Sequence, residues 1–368
     1  MYFAFAIIAI LAAVYLFFFL KRILSTFGVD TKRVYVRVIL IIASAAIGAS
    51  TMNIFSFFGV AVLHIIAMAL FAQLVNYIVK LISKTRYEKL KIWIKIYGSG
   101  ALALVFTAVF MVFGYINLHN VRETAYTVST EKELRDGGYR VALLSDIHFG
   151  VSLDYNEFTE VCAEISSKEP DMVILCGDIV DNDTTREEMH QVFEALGGIK
   201  SEFGVFYVHG NHDRPFSFRG LESEFTEAEL RTAIESNGIK ILQDEIYEIA
   251  PDFVLVGRED KSVPSRKSTE ELLKGIDASR FILTLDHQPH EYALTAATRT
   301  DLVLSGHTHG GQLWPLKQVQ AIFNFNDEVY GHGFIDDDTQ YIVTSGVAGW
   351  KYPIKTAAPA EYVIIDIT

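Results

Sequence analysis

The chain has 368 residues, half of them hydrophobic, and a formal net charge of −13 at neutral pH, which leaves room for a membrane region and one sizeable globular domain. The charge is divided unevenly: residues 1–118 hold 11 Lys/Arg and 2 Asp/Glu, whereas residues 119–368 hold 21 and 43. So acidic a second half repels long polyanions and argues against nucleic acid as a partner unless bound metal reverses the local field, and two cysteines without CxxC or framework spacing, Cys162 and Cys176, exclude a disulfide scaffold.

Four apolar stretches, at about 3–20, 38–55, 61–79 and 97–118, approach the roughly 20 residues that a bilayer crossing needs. The first has no basic segment before it and positive charge after it, so it reads as a span and not as a cleaved signal. Lys21, Arg22, Lys32, Arg33 and Arg37 follow the first stretch; Lys80, Lys84, Arg86, Lys89, Lys91 and Lys95 follow the third. Basic loops stay cytoplasmic, so this pattern predicts a four-helix anchor with both ends outside and the acidic half extracytoplasmic. His64, Gln73 and Asn76 are polar residues within the third stretch, but no charged pair marks an ion path. The spans therefore read as an anchor in the lipid bilayer, with a linker at 119–137 and a globular domain at 138–368.

In that domain short apolar runs alternate with amphipathic ones. Runs at 140–144, 172–176, 205–208, 253–256, 281–285 and 302–304 suit strands buried on both faces. Residues 156–168 and 184–196 read as helices, and Thr226 with Glu229 and Ser268 with Glu271 make capping boxes for two more. The alternation predicts an α/β sandwich, with later strands at 341–344 and 362–367 forming an antiparallel portion.

What ends the strands carries the chemistry. The runs lead into Asp146-Ile147-His148, into Gly177-Asp178 with Asp181, and into Gly210-Asn211-His212-Asp213; later come Asp286-His287 and Gly306-His307-Thr308-His309. In α/β sheets ligands bind beyond the carboxyl ends of the strands, so these clusters are expected to converge on one rim. Any one of them alone would be an ordinary turn or a surface histidine; five in this order point to a metal site. Imidazole, carboxylate and amide oxygen donors suit Mn, Fe or Zn better than Ca.

In this order, DxH, GDxxD, GNHD, H and GHTH, the residues from about 138 to the end resemble the calcineurin-like metallophosphoesterase superfamily, and the run GHTHGGQ at 306–312 is similar to a bacterial membrane-associated subgroup. The resemblance implies two divalent metal ions. One would be held by Asp146, His148 and His309 and the other by Asn211, His287 and His307, with Asp178 shared between them. It implies hydrolysis of a phosphomonoester or phosphodiester by a water activated between the metals. His212, next to Asn211, is the expected general acid, with Asp213 orienting it and Asp181 and Asp286 supporting the site from behind. Lys355 stands near the end, where such proteins often carry an arginine, and a lysine does not offer the bidentate phosphate contact of a guanidinium. His190, His209, His290 and His332 fall outside the motif and are not assigned to the centre. The membrane tether points to a lipid or envelope phosphate ester as substrate. The alternative, a catalytically inactive receptor or scaffold on the same fold, sits poorly with seven filled ligand positions.

Overall fold

The computed structural model describes residues 2–53, 56–214 and 223–368 and divides into two compact units, Met1–Phe113 and Gly114–Thr368.

The first unit is helical. It contains α1 (Tyr2–Thr26), α2 (Val34–Ser50), α3 (Phe57–Ser83), α4 (Lys91–Gly98) and most of α5 (Ala101–Leu118). Its small core gathers Leu16, Phe19, Val62, Ala69 and Ala103, while Ile10, Phe18, Ile42, Leu74 and Val109 are more than half exposed, as lipid-facing side chains would be. α1 and α2 pack closely because Gly48 lacks a Cβ, which would meet Ala13 at 2.7 Å.

Among the described residues three helical stretches, not the expected four, are long and apolar enough to cross a membrane: 6–26, 57–89 and 101–118. The predicted second span differs. α2 has 17 residues, about 25 Å of helix against a hydrocarbon core of about 30 Å. It ends early because Ser50 and Thr51 turn their hydroxyls back onto the carbonyls of Ile47 and Gly48, and Ser56 then caps α3. Ile54 and Phe55, the end of that predicted span, lie outside the described residues. The predicted fourth span is cut at Gly98–Gly100: Gly100 takes φ +75°, and α5 starts after it.

The second unit is the expected α/β sandwich. After α5 come β1 (Arg122–Val128), β2 (Tyr139–Leu144), α6 (Tyr155–Ser167), β3 (Met172–Cys176), α7 (Arg186–Gly197), β4 (Val205–Val208), α8 (Glu227–Ser236) and β5 (Lys240–Ile241). Then follow β6 (Glu245–Ala250), β7 (Phe253–Gly257), α9 (Thr269–Leu273), β8 (Phe281–Leu285), α10 (Tyr292–Ala296), β9 (Leu302–Ser305), α11 (Leu316–Phe323), β10 (Gly331–Phe334), β11 (Gln340–Val343) and β12 (Glu361–Ile367). One sheet has the order β1-β12-β2-β3-β4-β5 and the other β10-β11-β9-β8-β7-β6. Residues 119–137, read as a linker, contain β1, which pairs in parallel with β12 along its whole length. β12 runs antiparallel to β2, whereas β11 runs parallel to β9 and is antiparallel only to β10.

Strand alternation explains the layers. Val141 and Leu143 of β2 face the second sheet, together with Ile174, Phe206, Leu255, Leu283 and Leu304; Ala142 and Leu144 face the opposite way, toward Phe158, Val161, Phe193 and Leu196 of α6 and α7. The boxes at Thr226/Glu229 and Ser268/Glu271 cap α8 and α9, and two more cap α6 and α7. β2, β3 and β4 run parallel, as do β7, β8 and β9, so each set opens its carboxyl ends toward a common edge. Leu283 lies fully buried between the sheets. Leu283→Ala is expected to cost about 2–5 kcal/mol, measured as a lowered midpoint of chemical unfolding.

Candidate metal centre

The loops after β2, β3, β8 and β9 are stitched to one another through their backbones. Asp146 donates its N–H to Gly177 O (3.0 Å), and Gly306 N–H reaches His287 O (2.9 Å). His307 N–H meets both carboxylate oxygens of Asp146 at 3.0 Å. Gly306 must lack a side chain, because a Cβ there would collide with Ser145 and the Asp146 carboxylate; Gly210 is crowded in the same way by Asp178. Five of the expected ligands, Asp146, His148, Asp178, His307 and His309, hold φ between 41° and 69°. Left-handed backbone at non-glycine residues stores strain of order 1–3 kcal/mol each, and it clusters at functional sites.

Two clusters of potential ligands result. Asp146, His148 and His309 bring donor atoms within 4.8 Å of one another, and so do Asp178, His287 and His307. Asp178 stands between them: its Oδ2 lies 3.8 Å from His148 Nε2 and 3.1 Å from His287 Nε2. Asn211 lies between Gly210, which abuts Asp178, and His212, whose N–H donates to Asp178 Oδ1 at 2.8 Å.

The donor set fits cations. His287 Nδ1 lies 2.7 Å from Cys176 O; a carbonyl can only accept, so Nδ1 carries the proton and the Nε2 lone pair faces the Asp178 carboxylate. Two lone pairs in a dry site repel unless a proton or a metal ion lies between them. With a proton there, the His287 imidazole has an affinity well above its ordinary value: burial opposes this, and the charge of Asp178 overcomes burial. The same logic holds at His148 Nε2 and His309 Nε2, 3.3 Å apart, with His309 Nε2 3.5 Å from Asp146 Oδ1. Burial lowers His309 to about 3 and His307 to about 4, so both are neutral at pH 7, the form that ligates. Among the described residues, Asn211 Oδ1 and His287 Nε2 are buried without a hydrogen-bond partner. Asp178 carries its charge despite burial, because His287, His212 and His148 hold it well below the carboxylate range.

The supporting residues sort differently from expectation. Asp181 does back the site, with Oδ2 3.2 Å from His148 Nδ1. The expectation that Asp213 orients His212 gives way: its buried carboxylate accepts the N–H groups of Asp178 (2.7 Å), Ile179 (2.8 Å), Val180 (3.1 Å) and Gly210 (2.7 Å). It clamps the β3 loop to the β4 loop, and burial followed by the charge of Asp178 raises it to about 6. Asp286 pairs with buried Arg258 (2.8 Å) and with Arg266 (3.2 Å), behind the site.

Lys355 is fully buried and takes no place in the rim. Its Nζ donates to Ser345 O, Gly346 O (2.9 Å) and Ala348 O (3.3 Å). That loop in turn gives its Ala348 N–H to Asp146 O (3.1 Å) and lies 3.4 Å from His309 Nδ1. No pattern in the sequence could have separated this clamp from a surface lysine, because its partners are backbone carbonyls. Trp350, outside the sequence motifs, places its ring 4.9 Å from that of His212. Of the histidines outside the motif, His209 is buried against Tyr207, while His332 bonds to Gln340 and His190 is exposed on α7.

The calcineurin-like phosphoesterase family model matches residues 139–311, which contain all seven expected ligands. The transmembrane protein with metallophosphoesterase domain of Danio rerio is 29% identical over 323 residues, covering 83% of this chain and 71% of that one. An uncharacterised metallophosphoesterase of Campylobacter jejuni is 27% identical over 275 residues, covering 72% of this chain and 69% of its own. Among solved structures, a dimetal phosphatase from Danio rerio is similar over 56% of this chain and 87% of that chain, at 13% identity and a TM-score of 0.35. The chain thus carries a calcineurin-like phosphoesterase domain at residues 139–311 and is similar to curated metallophosphoesterases beyond it.

Proposed function

We propose that this chain is a membrane-anchored, metal-dependent phosphoesterase, with residues 1–118 as anchor and the remainder as the hydrolytic domain. The observation that carries the reading is the pair of His/Asp clusters joined at Asp178. Asp146, His148 and His309 would hold one divalent ion and Asn211, His287 and His307 the other, with Asp178 serving both; the donors favour Mn, Fe or Zn. Such ions supply Lewis-acid neutralisation of the phosphoryl oxygens and lower the pKa of water.

The chain's own residues do the rest. Asp213 and Lys355 hold the loops so that the ligands stay converged before any ion or substrate arrives, which is preorganisation. His212 has its backbone tied to Asp178 and its ring 5.4 Å from that of His148, and it is the candidate proton donor to the departing oxygen. Burial holds its proton affinity below the ordinary value, and the charge of Asp178 offsets this only in part; the negative charge of a phosphate ester would oppose burial, favouring the protonated form an acid needs. The substrate class is a phosphate ester, and the anchor favours one carried on a lipid or an envelope component.

Charge favours four crossings for the anchor. With only α1, α3 and α5 crossing, the basic loops after α1 and after α3 would fall on opposite sides; with the short α2 crossing too, both are cytoplasmic and the domain is extracytoplasmic. Single cysteines at Thr31, Thr85 and Ser223, in a C162A/C176A background, test this. An impermeant thiol reagent should label only the one at Ser223 in intact cells; labelling at Thr31 or Thr85 instead inverts the topology.

Asp178→Asn should abolish turnover of bis(p-nitrophenyl) phosphate and reduce bound metal to one ion or none, by elemental analysis. Two tightly held ions with normal turnover would overturn the shared-ligand assignment. His212→Ala should slow an alkyl phosphodiester by roughly 10²–10⁴-fold, the span of general acid catalysis, while sparing the nitrophenyl ester and leaving metal content unchanged. Equal losses on both esters at full metal occupancy would remove His212 from the acid role.

A further inference from the structure

α11 contains no buried residue. Trp314, Leu316, Ile322, Phe323 and Phe325, on and beside it, are 40, 42, 75, 65 and 59% exposed. Leu316, Val319 and Phe323 recur at helical spacing along one stripe. Between Gly310 and Asn326 there is no Asp or Glu, in a half of the chain that carries 43 of them. A contiguous apolar face on a hydrolytic domain calls for a partner.

The root of this helix shows which partner. Trp314 N–H donates to Thr356 Oγ1 (2.9 Å), and the N–H groups of Thr356 and Ala357 donate to Gln312 O (2.7 and 3.0 Å). The same short segment holds the end of α5 within this unit. Lys355 N–H donates to Gly114 O (3.0 Å), Asn117 Nδ2 donates to the carbonyls of Lys355 and Ala358 (both 2.8 Å), and the Thr356 methyl lies 2.5 Å from where a Cβ on Gly114 would stand. Gly114 lies four residues before the end of a membrane-length apolar helix, about 6 Å along its axis. The segment 314–325 therefore leaves the domain at the level where α5 leaves the hydrocarbon.

We propose that residues 314–325 form an interfacial helix docked on the lipid bilayer, on the leaflet at which α5 ends. Leu316, Ile322, Phe323 and Phe325 enter the boundary between headgroups and acyl chains, and Trp314 sits at the headgroup level, where amphipathic rings collect. The contact is apolar, because the one cation of the segment, Lys317, lies over the Tyr330 ring at 4.8 Å. Docking therefore needs no anionic lipid. It is also independent of what the metal centre hydrolyses.

The test uses the full chain in the C162A/C176A background, one copy per nanodisc of dioleoylphosphatidylcholine. A nitroxide is placed at F323C or L316C, with D337C, in an exposed loop, as the control. Power saturation in oxygen and in a neutral nickel chelate reads depth. The labels at 323 and 316 should favour oxygen over nickel several-fold more than the label at 337, in a membrane with no net charge. Nickel access at 323 and 316 equal to that at 337 overturns the proposal. So does spin–spin broadening at 323 in detergent together with nickel access in single-copy nanodiscs, which would assign the face to a second copy of the chain.

Discussion

Asp178 stands where ring nitrogens from two clusters converge, almost closed off from solvent. The fold must leave its carboxylate ionised there, and by burial alone it would take up a proton. His287 and His148 supply the opposing charge only if they are themselves protonated, yet a hydrogen bond to Cys176 O commits the Nδ1 proton of His287 and points its Nε2 lone pair at the carboxylate. The arrangement is electrostatically incomplete with protein atoms alone, and positive charge from protons or metal ions completes it. Proton and metal therefore compete for the same lone pairs, which is the coupling expected of a metal site.

Holding such a constellation open requires scaffolding that does not itself enter the centre. Asp213 gathers four backbone N–H groups from two loops, and Lys355 gathers three carbonyls from a third. One is a buried carboxylate among donors and the other a buried amine among acceptors, and each is satisfied locally, as a buried polar group must be; burial holds Lys355 down at about 7. Between them they fix the backbone on which Asp146, His148 and Asp178 adopt left-handed conformations. The strain at those residues is sustained by the sheets beneath, whose parallel strands deliver every loop to the same edge.

The helical unit solves a different problem with different means. Its exposed apolar side chains would be intolerable in water and are ordinary in lipid. Small residues such as Gly48 let helices approach, and Asn76 accepts from Tyr87 and Trp93.

The alternation of apolar and amphipathic runs made the α/β sandwich legible, and the ordered Asp, His, Asn and Gly clusters carried the resemblance that implied the candidate ligands, because strand periodicity is local and this chemistry sits at strand ends. Capping boxes at Thr226 and Ser268 were legible for the same reason: their hydrogen bonds span three residues. The tertiary structure decided what depends on distant partners. It set Asp213 against backbone amides and not His212, turned Lys355 inward, and made a strand of residues read as a linker by pairing β1 with β12 across more than two hundred residues. It also shortened the second apolar helix, because serine and threonine hydroxyls bonded back to its last carbonyls. A backbone carbonyl or amide carries no signature in the side-chain sequence, so contacts made to backbone become visible only once the chain has folded.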